Sequence, residues 1–162
     1  MEIKTRIKIR SGEFDAVYRD LDPLKDLGDT SLQGVHAFCF CGDKLVLVYA
    51  PEKKYWSVPG GGIEKGETWE EAVVREIKEE TNMKVLHHEL LGYQDVYEPT
   101  STRRQTRSFC IVEPYGEFVS DPDGDVTEIK LVEPAELKQY MDWGVIGDHL
   151  LEKVLELKQK YL

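Results

Sequence analysis

Three glutamates, Glu76, Glu79 and Glu80, stand close together in the chain. In an α-helix, residues three and four positions apart share one side, so these carboxylates would form a single ridge. Like charges at this spacing repel one another, and more strongly as water is excluded, so a cation is expected beside them. Ligands that are all oxygen suit Mg²⁺ or Mn²⁺. The ridge therefore predicts a divalent metal site.

The residues before the ridge predict the helix that carries it. Thr68 and Glu71 have the spacing of a capping box, which places the first helical residue at Trp69. Trp69, Val73 and Ile77 then lie on one apolar stripe, which is expected to be the buried face. The carboxylate ridge runs along the edge of that stripe, where it would be half-buried.

A run of glycines precedes the helix. Gly60, Gly61 and Gly62 let backbone groups approach an ion or a phosphate without side chains in the way, and Glu67 adds a fourth carboxylate. The alternative is an ordinary loop followed by a glutamate-rich surface helix. The coincidence of glycine run, capping box and ridge favours a metal and pyrophosphate site over that alternative.

This segment resembles the signature of the Nudix hydrolase family, G-x5-E-x7-R-E-U-x-E-E-x-G-U, in which U is a bulky aliphatic residue. The matching positions are Gly61, Glu67, Arg75, Glu76, Ile77, Glu79, Glu80 and Met83. Only Asn82 departs, where the family has a glycine that ends the helix. Asparagine is the next most suitable residue for the left-handed conformation required there, so the departure leaves the chemistry intact.

The resemblance implies roles for individual residues. Metal would be bound by Glu76, Glu79 and Glu80 and by the backbone carbonyl of Gly60, and Arg75 would pair with Glu67 to hold the loop against the helix. A glutamate from the signature or from a later loop would deprotonate the attacking water. Glu79, Glu76 and the distant Glu128 are all candidates, and the sequence does not choose between them.

Other residues are candidates for binding substrate. Arg103, Arg104 and Arg107 are concentrated in what the pattern indicates is a loop between two strands, where phosphate binding and ordinary solvated charge are equally good interpretations. Trp56 could stack on a base, although a buried strand tryptophan is at least as good an interpretation. Glu128 is included with these candidates.

The elements that would position these residues follow from the hydrophobic pattern. Residues 2–10 alternate as an amphipathic strand, and Ser11 and Gly12 turn the chain into an N-terminal hairpin. A polar connector, 20–31, follows. Further strands are predicted at 34–40, 44–50, 55–58, 84–97, 106–114 and 128–133, the fourth bulged near Gly92, with a short helix from Pro134 and a helix over 147–162. The sum is an α+β fold with a mixed sheet between helices (α/β/α), which agrees with the Nudix fold.

One acidic segment favours a structural interpretation over a metal site. DPDGD at 121–125 resembles a calcium loop, yet glycine falls at its fourth place and Val132 at the position where a glutamate is needed. A solvated turn is therefore predicted there.

Bulk properties narrow the class of protein. The 162 residues predict one domain, and a net charge of −10 argues against binding long nucleic acid while leaving small phosphates open. Three cysteines form no disulfide framework or zinc site. Without an apolar leader or spanning segment, a soluble cytoplasmic protein is expected. The N-terminal hairpin could cover a sheet edge or pair with a second copy, so a homodimer is left open.

The sequence thus predicts a Mg²⁺- or Mn²⁺-dependent hydrolase that cleaves a phosphoanhydride bond in a nucleoside diphosphate linked to another moiety. Two alternatives stay open. One is a sanitising pyrophosphohydrolase that converts nucleoside triphosphates to monophosphate and pyrophosphate, and the other is a non-catalytic regulator that binds a nucleotide on the same fold.

Overall fold

The computed structural model describes residues 1–9, 11–20, 25 and 32–161. Most of the predicted connector, together with Arg10 and Leu162 of the predicted strand and helix, lies outside the described residues. The strands are β1 Glu2–Ile9, β2 Gly12–Arg19, β3 Leu32–Cys41, β4 Lys44–Ala50, β5 Tyr55–Ser57, β6 Gly60–Gly62, β7 Met83–Glu98, β8 Ser101–Pro114 and β9 Glu128–Val132. The helices are α1 Trp69–Thr81, a 3-10 helix Pro134–Gln139 and α2 Gly144–Tyr161.

The strands form one mixed sheet, as predicted. Its order is β1-β2-β7-β8-β3-β4-β5, with β6 paired to β3 and β9 paired to β4. The β3 and β8 strands run parallel, whereas the other recorded pairs are antiparallel. Cys39, Cys41 and Cys110 lie in β3 and β8 as free thiols. The parallel pair is central because β8 joins the β1-β2-β7 half of the sheet to the half that carries the glycine run.

The two helices cover opposite faces of this sheet, which confirms the α/β/α arrangement. Successive residues of β3 point to opposite faces of the sheet. Val35, Ala37 and Cys39 pack with α1, and Phe38 and Phe40 pack with α2. On the helices, the residues buried against these layers are Ala72, Val73 and Ile77 of α1 and Ile146, Leu150 and Val154 of α2. None of the helices in the described part of the chain is long and apolar enough to cross a membrane.

The N-terminal hairpin is present and extends the sheet. β1 and β2 pair antiparallel from Glu2 opposite Arg19 to Ile9 opposite Gly12, and β2 continues against β7. Asp20, directly after β2, contacts α2 through His149 Nε2 at 2.9 Å and Lys153 Nζ at 2.7 Å. The hairpin is therefore joined to the rest of the fold by both a strand pair and a partly buried ion pair.

The bulge predicted near Gly92 is confirmed by a register shift between Leu90 and Gly92. Any side chain at Gly92 would collide with the carbonyl oxygen of Arg19 and would lie 2.6 Å from the Tyr18 hydroxyl oxygen. The close approach of β2 is what requires glycine at this position.

The predicted arginine loop is wrong, because Arg103, Arg104 and Arg107 all lie within β8. The β7-β8 ladder continues outward to Glu98 opposite Ser101. The polar composition indicated a loop, but acidic partners on β7 neutralise two of the arginines inside the ladder: Arg104 meets Asp95 at 2.8 Å, and Arg103 meets Glu98 at 3.2 Å. Arg107 and Arg104 also lie three positions apart, so they point to opposite faces of the sheet.

Candidate active site

The helix that carries the carboxylates has the predicted ends. Thr68 Oγ1 accepts a hydrogen bond from the Glu71 N–H at 3.1 Å, and the Glu71 carboxylate accepts one from the Thr68 N–H at 3.1 Å. The helix ends at Asn82, whose φ of 55° is left-handed. Both ends are satisfied locally, so the positions of Glu76, Glu79 and Glu80 on one side of α1 follow from helical spacing alone.

Arg75 ties the glycine-rich segment to this helix. Its Nε and Nη2 donate to the two carboxylate oxygens of Glu67 at 2.7 and 2.8 Å, which is the pairing expected from the resemblance. Nη2 also donates to the Gly62 carbonyl at 2.9 Å. Nη1 reaches the ridge itself, with Glu76 at 2.9 Å and Glu79 at 3.2 Å. One guanidinium therefore donates hydrogen bonds to three carboxylates and a backbone carbonyl.

All three ridge carboxylates are held in surroundings that raise their pKa values, and the rise is largest at Glu76 and Glu80. Burial raises the pKa of Glu80 to about 8, although the Gly60 N–H donates to its carboxylate at 2.9 Å. Burial likewise raises the pKa of Glu76 to about 7, against the opposing effect of Arg75. Repulsion from Asp121 adds to the rise at both residues. The positive charge near the cluster therefore does not compensate the negative charge that its carboxylates carry when they are ionised.

The glycines make room for protein atoms. A side chain on Gly61 would begin 2.5 Å from the Glu76 carboxylate, and one on Gly60 would collide with the Val35 carbonyl and lie 2.7 Å from the His36 ring. The sequence interpretation assigned this space to an ion or a phosphate. In the folded chain, the missing Cβ atoms allow the glycine strand to pack directly against β3 and the ridge.

Asp121 and Asp123 complete the cluster, and sequence reasoning missed them. One carboxylate oxygen from each of these residues and from Glu79 lies within 4.8 Å of the others. Residues 121–125 do form a turn, but Asp121 is only 7% exposed and accepts hydrogen bonds from the N–H groups of Asp123 and Val126 at 3.0 and 3.1 Å. The prediction of a solvated turn is therefore wrong for Asp121. Three aspartates within residues 121–125 were the available signal, but nothing local indicated that this segment returns to α1.

This donor set fits a hard divalent cation. The side chains offer only carboxylate oxygens, and burial raises the pKa of three of them, Glu76, Glu79 and Glu80. The Gly60 carbonyl lies on β6, next to α1. Mg²⁺ and Mn²⁺ prefer such ligands. Glu76, Glu79, Glu80, Asp121 and Asp123 are the side chains that could hold one.

The remaining candidates lie outside this cluster. Glu128 is exposed on β9 opposite Tyr49, and among the described residues it makes no hydrogen bond or ion pair with the ridge. Trp56 packs between Tyr49 and Tyr140, with ring centroids 5.2 and 6.2 Å apart, under the Lys130 ammonium group. Its surroundings are those of a packing residue, and base stacking by Trp56 stays a prediction.

The three arginines have separate surroundings. Arg104 is buried in its ion pair with Asp95, and Arg103 is partly exposed beside Glu98. Arg107 is 3% exposed and lies against Trp143, with its guanidinium carbon 5.0 Å from the ring centroid. The proximity of the three arginines in the sequence indicated one cationic cluster. They do not form one, because successive residues of a strand point to opposite faces of the sheet. Phosphate contact by any of them stays a prediction.

The family model for the NUDIX domain matches residues 31–153, so the chain belongs to the Nudix family. Among curated relatives, an uncharacterized Nudix hydrolase of Bacillus subtilis, YvcI, is 38% identical over 50 residues, which is 31% of this chain and 32% of the relative. The ADP-ribose pyrophosphatase of Methanocaldococcus jannaschii is 57% identical over 42 residues, 26% of this chain and 25% of the relative. The chain thus spans a third or less of the length of these two relatives.

A solved structure shares nearly the whole fold. The crystal structure of a mutant form of the Bacillus subtilis pyrophosphohydrolase BsRppH aligns with a TM-score of 0.76 and 22% identity. The alignment covers 94% of this chain and 96% of that one. It therefore includes N-terminal residues that precede the family match, and it establishes a common architecture.

Proposed function

We propose that this protein hydrolyses the phosphoanhydride bond of a nucleoside diphosphate linked to another moiety, with Mg²⁺ or Mn²⁺ as cofactor. The observation that carries the proposal is the convergence of Glu76, Glu79 and Glu80 on α1 with Asp121 from a distant turn, beside the glycine strand. Buried carboxylates with raised pKa values are expensive in a protein with no cation for them, and such clusters are typical of functional sites.

A bound cation and individual side chains would have separate roles in this reaction. A divalent cation bound at the ridge would neutralise pyrophosphate oxygens and lower the pKa of the attacking water. Arg75 keeps the Glu67 carboxylate and the Gly62 carbonyl in place. We assign the general base to Glu79, since its side chain is 25% exposed and can reach water. Both Glu79 and Glu76 contact Arg75 Nη1, but Glu76 is only 12% exposed and its contact is the shorter, at 2.9 Å against 3.2 Å.

The surface beside Glu79 has room for a substrate group. A groove of about 520 Å³ lies between α1 and residues 117–122, and Lys78, Asn82 and Ser120 contribute polar groups to its lining. Hydrolysis of a linked nucleoside diphosphate is further supported by one curated relative, which is named an ADP-ribose pyrophosphatase. A purely regulatory nucleotide binder is disfavoured because it would have no use for the repulsion within the ridge.

Turnover against a panel of nucleotides tests the proposal. The purified protein is incubated with ADP-ribose, a UDP-sugar, a dinucleoside diphosphate and the nucleoside triphosphates, with Mg²⁺, Mn²⁺ or EDTA, and the products are separated by ion-exchange chromatography. We expect a monophosphate pair from a linked diphosphate, loss of turnover in EDTA, and loss in Glu79→Gln. Release of pyrophosphate from triphosphates alone would replace this proposal with the sanitising activity. Tight binding without turnover would replace it with the regulatory role.

A further inference from the structure

Arg107 is a buried cation without an acidic partner among the described residues. Its side chain is 3% exposed, and within the same part of the chain its Nε has no hydrogen-bond partner. The terminal nitrogens have only neutral acceptors there: Nη1 donates to the Thr106 carbonyl at 3.1 Å and to Gln105 Oε1 at 3.4 Å. Burying a guanidinium without an anion costs free energy that the Trp143 ring offsets only in part. Stability alone therefore does not explain this residue.

The sheet places Arg107 two strands away from the metal cluster. Arg107 on β8 is opposite His36 on β3, and His36 is opposite Gly60 on β6. The three residues therefore form a row across the sheet at one level. Gly60 is the residue whose carbonyl is the expected metal ligand, and its N–H donates to Glu80 at 2.9 Å.

The first link in this row is the contact between Arg107 and His36. Arg107 Nη1 lies 3.4 Å from His36 Nδ1. A guanidinium can only donate, so Nδ1 is the acceptor and the ring proton is on Nε2. Trp143 packs edge-on against the same ring, with centroids 5.6 Å apart. His36 is thus held by a directed hydrogen bond and by an aromatic contact.

The second link is the contact between His36 and Gly60. A Cβ atom on Gly60 would lie 2.7 Å from His36 Cδ2 and 2.8 Å from Cγ, so the ring occupies the place where a side chain would be. The neighbouring Pro59 carbonyl is fixed to β3 by the Ala37 N–H at 2.9 Å. The ring of His36 therefore limits how the Gly60 peptide can move relative to Glu80.

We propose that Arg107, His36 and Trp143 form a positioning unit that holds the Gly60 peptide against the carboxylate ridge. Arg107 then acts on the geometry of the metal site through His36, and it does not contact a substrate phosphate. The inference rests on the proposed function, because it assumes that a cation binds the Gly60 carbonyl. The contacts that link Arg107, His36 and Gly60 are all between groups of the chain itself.

The test separates metal binding from substrate binding. Mn²⁺ affinity is measured by the electron paramagnetic resonance signal of free Mn²⁺, and kcat and KM are measured on the substrate found in the panel. We expect Arg107→Met to weaken Mn²⁺ binding about tenfold, the loss typical when a group that orients a metal ligand is removed. The value of kcat should fall in parallel, with little change in the KM for nucleotide. Arg107→Lys keeps an N–H donor and should recover part of the Mn²⁺ affinity.

Two further variants make the result decisive. His36→Val removes the ring from Gly60 while leaving Arg107 in place, and it should weaken Mn²⁺ binding even if Arg107→Met fails to fold. Arg103→Met removes an arginine from the same face of β8 and should leave Mn²⁺ affinity unchanged.

A raised KM in Arg107→Met with unchanged Mn²⁺ affinity would overturn the inference in favour of a substrate contact. Unchanged Mn²⁺ affinity in all folded variants would also overturn it. If the wild type turns over no nucleotide, the proposed function fails, and the Mn²⁺ titrations still decide this inference.

Discussion

Glu80 shows at the scale of one residue how burial and charge oppose each other. It is 7% exposed and accepts a hydrogen bond from the Gly60 N–H, yet burial raises its pKa to about 8. Glutamine has the same shape and can still accept that hydrogen bond, but it carries no charge. The site therefore offers a substitution that separates metal binding from folding.

Glu80→Gln should keep the fold and lose most activity. Removing a direct metal ligand should cost at least about 100-fold in turnover, because even outer-shell substitutions cost 10- to 100-fold. The measurement is the hydrolysis rate at saturating Mg²⁺, beside a thermal melt. Turnover near that of the wild type would refute a ligand role for Glu80.

The same substitution should change how stability depends on pH in metal-free protein. The folded pKa of Glu80, about 8, exceeds its ordinary value of 4.5. The folded state therefore binds a proton that the unfolded state has lost, and stability falls as pH rises between these values. We expect the melting temperature of Glu80→Gln, relative to the wild type in EDTA, to increase between about pH 5 and pH 8. A constant difference across that range would contradict the raised pKa.

Arg104 and Arg103 provide a matched pair for the cost of burial. Arg104→Ala leaves the buried Asp95 carboxylate with only its longer contact to Arg19 Nη1 at 3.4 Å, and it should cost about 3 kcal/mol of unfolding free energy. Arg103→Ala breaks a partly exposed pair with Glu98 and should cost less than about 1 kcal/mol. Urea denaturation measures both. Equal costs would show that the two arginines do not differ in the way their surroundings indicate.

At the scale of elements, the N-terminal hairpin depends on Asp20. Its carboxylate is only 18% exposed and contacts Lys153 and His149 of α2 and the hydroxyl of Tyr18. Burial raises the pKa of Asp20, but the hydrogen bonds from Lys153, Tyr18 and His149 outweigh it, so the net pKa lies below 3.8. A depressed carboxylate pKa stabilises the fold above the unfolded value and ceases to do so as pH falls through the folded pKa.

Asp20→Asn should therefore cost about 2 kcal/mol near neutral pH, and the cost should shrink below about pH 4. Hydrogen exchange should become faster in β1 and β2. Asp15→Asn is the control, since its pair with Arg6 is exposed and should contribute less than about 0.5 kcal/mol. A cost that is equal at pH 3 and pH 7 would rule out the ionised carboxylate as the anchor.

At the scale of the whole molecule, the metal cluster joins parts of the chain that are far apart in sequence. Glu79 comes from α1, and Asp121 and Asp123 come from the segment after β8. A cation that binds only when these parts are assembled stabilises the folded state by mass action.

Mg²⁺ and Mn²⁺ should therefore raise the melting temperature. At 100 times the dissociation constant, the gain is about 2.7 kcal/mol of unfolding free energy. Ca²⁺ should also bind and raise the melting temperature while supporting little turnover, since it tolerates looser geometry. The shift should be largely absent in Glu80→Gln. A melting curve indifferent to all three ions at millimolar concentration would count against the site.

What the sequence determined by itself is local in origin. The capping box, the Glu76, Glu79 and Glu80 ridge and the β3-β4 hairpin depend on neighbours a few residues apart, and periodicity shows them directly. Only the tertiary structure decided which distant groups meet. It buried Asp121 beside the ridge, left Glu128 exposed on an outer strand, and divided three nearby arginines between two faces of β8. These outcomes depend on strand order, register and the path of the chain after β8, because contacts between remote segments leave no periodic signal in either segment alone.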